Sequence, residues 1–271
     1  MIQIKDFSYR YRKGKEMVFD HFNLELPTGH VYGLLGRNGV GKSTLIYSLM
    51  GLLQPRSGIV MVDEWHSKER RAEMLANCFL VPEEFELPKC TLKQYVKYTS
   101  PFYPDFSEND LYRNLRLFAM EGNPNLGALS MGQKKKVFMC FALACNTKYL
   151  IMDEPTNGLD IPSKEQFRQL VKCGMKENKT IIISTHQVGD IESLLDEVII
   201  LQRNQVVMKK SVEDICRALK FGVNDENPLY AQPFVGGNYT ITKNDTGEMT
   251  AMRLELLFNA IEVNKEIVNY I

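Results

Sequence analysis

Two short segments of the chain carry residues whose types and spacing suit phosphate and metal chemistry. The first segment reads GRNGVGKST and begins at Gly36. Glycines at these positions let the backbone fold tightly enough for successive N–H groups to converge on phosphate oxygens. A lysine at this spacing reaches the terminal phosphates of a nucleotide, and the serine after it can bind Mg²⁺ through its hydroxyl. The phosphate contacts are therefore predicted from Gly36, Arg37, Asn38, Gly39, Gly41, Lys42, Ser43 and Thr44.

The second segment, from Leu129 to Asp160, places two adjacent acids behind a helix and a strand. A Ser-Gly-Gln turn opens a long apolar helix, and a helix start presents free N–H groups that attract anions. The strand YLIMD then ends at Asp153, which Glu154 follows directly. Of two acids at a strand end, one can hold Mg²⁺ while the other positions a water molecule. The order of the motifs therefore predicts a metal-and-water site joined to a phosphate-facing helix start.

The predicted elements around both segments form an α/β fold with a mainly parallel sheet. HVYGLLG, from His30, reads as a strand, and KSTLIYSLMGLL behind it has helical spacing. Strands are also predicted at Tyr149–Asp153 and Thr180–Ser184, with a helix near Ser163–Met175 between them. Such alternation is typical of a mainly parallel sheet with helices on its faces.

Three stretches outside this alternation set the predicted organisation of the chain. Residues 1 to about 27 read as antiparallel strands, with a turn from Arg12 to Lys15. From about residue 85 to 135, helical spacing with Pro and Asp punctuation predicts a helical subdomain inserted into the core. The C-terminal stretch is turn-rich and ends in an amphipathic helix. We therefore expect a main domain over residues 1–220 and a small α+β appendage over residues 221–271.

The composition limits the class of protein and its partners. With 33 basic and 33 acidic side chains in 271 residues, the chain carries no net charge, which argues against a general nucleic-acid binder. None of the six cysteines forms a C-x-x-C pair, so buried, reduced thiols are expected rather than a zinc site. The N-terminus is unlike a signal peptide, and the longest apolar run, Val137 to Cys145, is far shorter than the roughly 20 residues that span a bilayer. A cytoplasmic protein is expected, and any membrane role must come through a partner.

In this order, the phosphate loop, the LSMGQ turn and the acidic strand end resemble the motifs of ATP-binding cassette (ABC) ATPases, the nucleotide-binding subunits of ABC transporters. The resemblance extends over roughly Met1 to Leu219. It implies a P-loop NTPase core, ATP and Mg²⁺ as cofactors, and ATP hydrolysis as the activity. Members of the family most often have LSGGQ, and in this chain Met131 replaces the first glycine.

The resemblance also implies roles for residues around the ATP that this chain itself binds. Glu154 matches the general base that polarises the attacking water. His186 follows the strand TIIIST and matches the residue that contacts both the γ-phosphate and that glutamate. Lys42 is expected to take part in catalysis through its contact with the phosphates. The contacts to Mg²⁺ are expected from Ser43 and Asp153.

A second set of residues is implied to act between two cassettes. In the family, two cassettes face head to tail, and each ATP lies between the phosphate loop of one and the signature turn of the other. The matching turn in this chain consists of Ser130, Gly132 and Gln133, and Asp160 is the candidate at the dimer interface. The resemblance therefore implies a second ABC ATPase subunit, in a homodimer or a heterodimer, and an integral membrane permease subunit. No direct nucleic-acid partner is expected.

Four further assignments are hypotheses with alternatives. Tyr11 resembles the aromatic residue that stacks on adenine, although Tyr9 competes because strand alternation places both on one face. Where the family usually has Pro-Gln, this chain has Glu83, whose carboxylate either keeps a metal contact or points away from the site. The cluster Lys134 to Lys136 is interpreted as a solvated face rather than as a set of ligand contacts. The segment Glu84 to Tyr98 is either a docking surface for the membrane partner or ordinary subdomain core.

The motifs favour the ATPase subunit of an exporter-like bacterial ABC transporter, peripheral to the inner face of the cell membrane through its permease. The alternative is a soluble ABC ATPase that acts on ribosomes or nucleic acid. Such proteins usually carry two cassettes or a long coiled coil, whereas this chain has one unbroken cassette and no heptad array. A third interpretation is a regulatory module with little turnover, which Glu83 favours and which Glu154 and His186 oppose.

Overall fold

The computed structural model describes residues 1–12, 14 and 16–271. The turn predicted from Arg12 to Lys15 includes Lys13 and Lys15, which lie outside the described residues. The strands within the described residues are β1 (Ile2–Tyr9), β2 (Phe19–Leu26), β3 (Val31–Leu35), β4 (Ser57–Val62), β5 (Trp65–His66), β6 (Cys78–Val81), β7 (Tyr149–Asp153), β8 (Thr180–Thr185), β9 (Glu197–Gln202), β10 (Gln205–Ser211), β11 (Leu219–Val223), β12 (Tyr230–Phe234) and β13 (Gly237–Lys243). The α-helices there are α1 (Lys42–Leu49), α2 (Ala72–Ala76), α3 (Leu92–Thr99), α4 (Glu108–Leu117), α5 (Met131–Ala144), α6 (Ile161–Gly174), α7 (Val212–Ala218) and α8 (Leu254–Val263).

A six-stranded sheet forms the centre of the fold, with the strand order β10-β9-β3-β8-β7-β6. The five strands from β9 to β6 run parallel, and β10 pairs with β9 as an antiparallel edge strand. β3, β7 and β8 are buried along their whole length, in agreement with their near-continuous apolar sequences. The predicted α/β fold with a mainly parallel sheet is thereby confirmed. Because these strands are parallel, the segments that follow β3, β7 and β8 meet at one edge of the sheet.

A second, antiparallel sheet has the strand order β2-β1-β4-β5. Strand β2 alternates between buried and exposed residues along most of its length, as expected for a strand with one face on the core. The buried faces of β1, β2 and β4 share an apolar cluster with α1 and with one face of the central sheet. The antiparallel N-terminal strands predicted from the sequence are thus confirmed. They pack against α1 together with one face of the central sheet.

The helices α3 and α4 pack beside α5 and form the helical part of the fold. Both begin at side-chain caps, Thr91 for α3 and Ser107 for α4. The ring of Phe141 on α5 is fully buried, with its centroid 5.0 Å from that of Tyr95 and 5.3 Å from that of Phe106. Such aromatic contacts add to apolar burial and fix how the helices pack.

The candidate docking segment, Glu84 to Tyr98, contributes most of its large apolar side chains to this core. Leu87 is buried, and Phe85 and Tyr95 pack against the same apolar cluster. Of these three side chains and Tyr98, Tyr98 alone is exposed, at 69%. The segment therefore acts mainly as subdomain core, since docking requires accessible side chains.

The C-terminal stretch forms a three-stranded antiparallel sheet, in the order β11-β13-β12, together with α8. Buried side chains of α8 belong to the same apolar cluster as α5 and the main sheet; they are Leu254, Leu256, Leu257, Ala260 and Ile261. At the start of α8, a carboxylate oxygen of Glu192 accepts a hydrogen bond of 2.8 Å from the N–H of Leu254. The stretch thus shares a core with the rest of the chain, and a domain boundary at residue 220 stays a prediction.

The cysteines lie mostly in the interior. Cys78, Cys140, Cys145 and Cys216 are buried, Cys90 is half-buried and Cys173 is exposed. All six are free thiols. In the part of the chain that the structure describes, no helix is long and apolar enough to cross a membrane.

Candidate active site

The predicted phosphate loop connects β3 to α1 and takes the shape that its glycines allow. Gly39 and Gly41 have φ angles of +82° and +106°, which residues with a Cβ rarely adopt. A Cβ at Gly36 would lie 2.8 Å from the carbonyl oxygen of Leu201, so the close approach of β9 also requires glycine there. Gly41 immediately precedes α1 and has no side chain to cap it. The first N–H groups of α1 can therefore bind an anion.

A cavity of about 530 Å³ lies in front of this loop. The sequence-predicted residues that line it are Tyr11, Asn38, Gly39, Gly41, Lys42, Ser43, Thr44, Glu83, Glu154 and His186. Val18 and Asn157 complete the lining. The cavity lies at the carboxyl ends of parallel strands, where α/β folds commonly bind ligands.

Lys42 lies buried at the base of the cavity. Its Nζ donates a hydrogen bond of 2.7 Å to the carbonyl oxygen of Gly36, and it lies 3.6 Å from Oε1 of Glu154. Burial lowers the pKa of the Lys42 ammonium, while the nearby carboxylates of Glu154 and Asp153 act in the opposite direction. The contacts hold the ammonium on the loop, where it can meet phosphate oxygens.

The carboxylate of Glu154 is held by contacts to both of its oxygens. Oε2 accepts hydrogen bonds from the Thr185 hydroxyl at 3.0 Å and from the His186 N–H at 3.3 Å. Oε1 lies 2.9 Å from Nδ1 of His186. Glu154 is only 5% exposed, so its carboxylate is fixed in place beside the cavity rather than moving in solvent. This geometry suits a general base that must meet one water molecule in one orientation.

Asp153 presents one oxygen that suits a metal ion. Its Oδ1 accepts a hydrogen bond from the Ser184 hydroxyl, whereas Oδ2 is buried without a hydrogen-bond partner among the described residues. Burial raises the pKa of Asp153, and a bound cation would favour its charged form instead. The described residues contain no group of three or more His, Cys, Asp or Glu that could hold a metal by themselves. Mg²⁺ is often held by one or two protein ligands together with phosphate oxygens and water, and Asp153 with Ser43 fits that pattern.

Of the two candidate adenine-stacking residues, Tyr11 is the one that lines the cavity. Tyr9 lies within β1 and is 8% exposed, whereas Tyr11 lies beyond the strand and is 44% exposed. The Tyr11 hydroxyl and the Thr44 hydroxyl share a hydrogen bond of 2.9 Å. The ring of Tyr9 packs edge-on against Tyr11 with centroids 5.0 Å apart. Tyr9 therefore supports Tyr11, and stacking of Tyr11 on a base stays a prediction.

Glu83 also reaches the cavity, but one of its oxygens already has a partner. Oε1 of Glu83 accepts a hydrogen bond of 2.9 Å from the side-chain amide of Asn157. The side chain thus does not point away from the site. Whether its other oxygen contacts a metal stays a prediction.

The signature turn and Asp160 lie outside this cavity. Ser130 caps α5, and its hydroxyl accepts a hydrogen bond of 3.3 Å from the N–H of Gln133. Asp160 likewise caps α6 through a 2.9 Å hydrogen bond from the N–H of Ser163. The side chain of Ser163, and then its N–H, lower the pKa of Asp160. Met131 is 61% exposed at the start of α5. The turn is therefore presented outward and is not brought to this chain's own phosphate loop.

The other predicted residues that do not line this cavity are Gly36, Arg37, Gly132, Gln133 and Asp153. Gly132 lines a smaller cavity of about 340 Å³, together with Glu83 and Asn157. The Arg37 side chain turns toward α8, where its guanidinium lies 3.8 Å from a carboxylate oxygen of Glu262. Arg37 thus belongs to the phosphate loop by sequence, although its side chain is not part of the cavity lining.

The comparison with known families agrees with this geometry. The family model described as ABC transporter matches residues 19–157, which is just over half of the chain. The chain belongs to the ABC transporter family. It is an ATP-binding subunit of that family and an ATPase.

Similar proteins extend the match over most of this ABC ATPase. The ABC transporter ATP-binding protein NatA of Bacillus subtilis (strain 168) is 28% identical over 247 residues, covering 88% of this chain and 99% of that protein. The bacitracin transport ATP-binding protein BcrA of Bacillus licheniformis is 29% identical over 238 residues, covering 84% of this chain and 76% of that protein. A solved structure described as the ATP binding subunit of an ABC transporter has a TM-score of 0.70 and 26% identity, covering 80% of this chain and 92% of that one.

Two hydroxyl residues of the ABC ATPase site were not predicted from the sequence. Ser184 contacts Asp153, and Thr185 contacts Glu154, because β7 and β8 are parallel neighbours with Asp153 opposite Ser184. The signal available in the sequence is the end of the strand TIIIST, directly before His186. This signal identifies Ser184 and Thr185 as site residues only when β7 and β8 are known to be adjacent.

Lys135 corrects the interpretation of the lysine cluster as a solvated face. Its side chain is 6% exposed, and Nζ donates hydrogen bonds to the carbonyl oxygens of Glu154 at 3.0 Å and Asn157 at 2.9 Å. Burial lowers the pKa of Lys135. Helical spacing indicates that Lys135 lies on the buried face of α5, because Met139 and Ala142, four and seven positions further on, are buried. The lysine can be buried there because the carbonyl groups of Glu154 and Asn157 accept its hydrogen bonds. The local sequence pattern does not indicate these acceptors, because they lie in a segment further along the chain.

Proposed function

We propose that this chain is the ATP-hydrolysing subunit of a bacterial ABC exporter and drives a separate membrane permease. The observation that carries the proposal is the arrangement of Lys42, Glu154 and His186 at one cavity. The Glu154 carboxylate is buried, held by His186 and 3.6 Å from the Lys42 ammonium. This arrangement suits hydrolysis of a bound nucleoside triphosphate better than passive binding, because an oriented carboxylate is what activates a water molecule.

In the proposed reaction, each residue at the cavity has a separate task. The phosphates bind the N–H groups of the loop and the Lys42 ammonium. Tyr11 stacks on the adenine, an interaction worth roughly 1–3 kcal/mol for a base on an aromatic ring. Glu154 accepts a proton from the attacking water, and His186 keeps the Glu154 carboxylate oriented while contacting the γ-phosphate.

Ser43 and Asp153 would hold the Mg²⁺ that accompanies ATP. The buried Oδ2 of Asp153, which has no hydrogen-bond partner within the described part of the chain, supports this assignment. When bound, Mg²⁺ would offset negative charge on the phosphates. Glu83 is proposed as an additional contact, because its carboxylate faces the same cavity.

The outward position of the signature turn supports a two-cassette mechanism. Ser130, Gly132 and Gln133 would bind the ATP held by a second cassette, and Asp160 would lie at the interface. The second cassette is either another copy of this chain or a related subunit. ATP would close the pair and hydrolysis would reopen it, which gives the permease its two states.

An exposed apolar groove supports a membrane partner that binds through a helix. The groove, of about 800 Å³, lies between α2 and the turn Ser100–Phe102. Phe102 is 71% exposed and Leu52 is 51% exposed at its edges. We propose that a cytoplasmic helix of the permease occupies it and holds the chain at the inner face of the membrane. BcrA is named for bacitracin transport, and we propose export as the direction for this chain.

A pull-down tests the permease partnership. The tagged chain is recovered from detergent-solubilised membranes of cells that also express a multi-span membrane protein chosen as the candidate permease. We expect that protein to co-purify, and Phe102→Glu to reduce its recovery about 10-fold, because a charge would enter the apolar groove. Val235→Glu, at a fully exposed position, is the matched control. Recovery of ribosomal or nucleic-acid partners in place of a membrane protein would contradict the proposal.

A further inference from the structure

Lys135 joins the helix of the signature turn to the segment that follows β7. It lies in the first half of α5, with its ammonium buried against that segment. The two acceptors of Nζ are backbone carbonyls, those of Glu154 at 3.0 Å and Asn157 at 2.9 Å. Burying an ammonium is costly unless its donors are satisfied, so these two bonds hold the loop to the helix.

The backbone at Glu154 needs such a restraint. Glu154 has a φ angle of +45°, in the left-handed region that residues other than glycine seldom occupy. A backbone of this kind persists only where surrounding contacts hold it. The Glu154 N–H donates to the Ser184 carbonyl at 3.0 Å on one side, and the Glu154 carbonyl accepts from Lys135 on the other. The peptide units on both sides of the proposed base are thereby fixed.

The same contact extends to a third segment of the site. Asn157, whose carbonyl binds Lys135, donates its side-chain amide to Glu83 at 2.9 Å. Lys135, Glu83 and Asn157 all line the 340 Å³ cavity beside the signature turn. The carboxylates of Glu83 and Glu154 favour the charged form of the Lys135 side chain, against the effect of burial.

We propose that Lys135 is a positioning residue for ATP hydrolysis, whose ammonium fixes the backbone of Glu154 and Asn157 and so aims the Glu154 carboxylate at the attacking water. The proposal rests on Glu154 as the general base. Lys135 does not line the 530 Å³ cavity in front of the phosphate loop. Since α5 begins at the turn assigned to the partner's ATP, the contact also ties that turn to the base that acts on this chain's own ATP.

The decisive variant is Lys135→Met, which keeps the length and apolar stem of the side chain but removes its donors. Three quantities are measured: kcat, the affinity for ATP, and the rate of amide hydrogen exchange over residues 154–160. We expect kcat to fall by about 10-fold to 10²-fold, the range for a displaced catalytic group, with ATP affinity within about 2-fold of the unmodified chain. Exchange over residues 154–160 becomes faster, because the segment has lost its tie to α5.

Two controls separate positioning from general damage. Lys134→Met removes the neighbouring, more exposed lysine and should leave all three quantities unchanged. Lys135→Arg restores donors and should recover part of kcat and of the exchange protection. An unchanged kcat in Lys135→Met would overturn the proposal, as would a fall in kcat with exchange over residues 154–160 unaltered.

The measurements on Lys135→Met can be told apart from an error in the assignment of Glu154 as the general base. If Glu154→Gln still hydrolyses ATP rapidly, the assignment of the base is wrong. The exchange over residues 154–160 in Lys135→Met still reports whether Lys135 holds the segment. A parallel loss of ATP affinity and kcat in Lys135→Met would assign Lys135 to nucleotide binding and overturn its positioning role.

Discussion

At the scale of single residues, the side chains that meet at the cavity come from the ends of neighbouring strands. Lys42 and Glu154 can be predicted from sequence spacing, because each belongs to a motif with a fixed order after an apolar strand. The hydroxyls that contact the acids, from Ser184 and Thr185, could not be predicted in the same way. Their contacts depend on β7 and β8 being adjacent with Asp153 opposite Ser184, and local sequence does not encode strand order.

Glu83, which stands where the family usually has glutamine, can be tested at this scale. Glu83→Gln removes a negative charge from the cavity while leaving an amide that can still bond Asn157. If Glu83 contributes to Mg²⁺ binding, the Mg²⁺ concentration for half-maximal hydrolysis should rise about 10-fold, the lower range for loss of a supporting group. A Mg²⁺ titration of the ATPase rate measures this shift, with Glu84→Gln as the control. An unchanged rate and Mg²⁺ dependence would show that Glu83 makes no contact with the metal.

At the scale of elements, a polar contact ties the two larger sheets together. Asp63, at the turn between β4 and β5, accepts hydrogen bonds from Lys148 at 2.8 Å and from the hydroxyl of Tyr149 at 2.7 Å. Tyr149 is the first residue of β7, so the bond connects the antiparallel sheet to the parallel one. Asp63 and Tyr149 are far apart in the sequence, so the contact between them could not be predicted from the local pattern around either residue.

The pKa of Asp63 makes this tie dependent on pH. Burial acts to raise the pKa of Asp63, but hydrogen bonds from Lys148, from the N-terminal ammonium of Met1 and from Tyr149 outweigh it and hold the pKa below its usual range. A carboxyl with a lowered pKa stabilises the fold above its unfolded pKa, and that contribution is lost as the pH falls through the lower folded value. Asp63→Asn should therefore reduce the free energy of unfolding by about 1–2 kcal/mol at pH 7.

Urea unfolding at several pH values measures this difference. It should stay constant above about pH 5 and shrink as the pH falls below about 4, because the carboxyl takes up its proton first in the unfolded chain and only at a lower pH in the folded chain. Glu165→Gln, at an exposed position whose ion pair with Arg168 lies within α6, is the control. A difference between the chain and Asp63→Asn that does not change with pH would contradict the assigned role of the charge.

At the scale of the whole molecule, the central fold could be predicted and the packing of the C-terminal stretch could not. The alternation of strands and helices indicates the parallel sheet, since each unit carries its own periodicity. The amphipathic pattern of α8 likewise indicates a helix, but does not indicate which surface it covers. The structure places α8 on the common core and brings Glu262 near Arg37 of the phosphate loop.

The position of the signature turn has a consequence for how two whole molecules pair. Each chain contributes the phosphate loop, Lys42 and Glu154 to one ATP site. Its Ser130 turn faces outward, away from that site. Complete sites are therefore expected only when two cassettes close. Glu154→Gln should hold that closed state, so its mass in the presence of ATP, measured by light scattering, should correspond to two chains when this chain pairs with itself. A mass of one chain would point to a different subunit as the partner.

The hydrolysis rate of Glu154→Gln tests the central claim most directly. The substitution keeps the shape of the side chain and removes the carboxylate that accepts the proton from water. At saturating ATP and Mg²⁺, the rate should fall on the order of 10²-fold or more, while ATP still binds. Glu165→Gln should hydrolyse ATP at the rate of the unmodified chain. Near-normal turnover in Glu154→Gln would contradict the assignment of Glu154 as the general base.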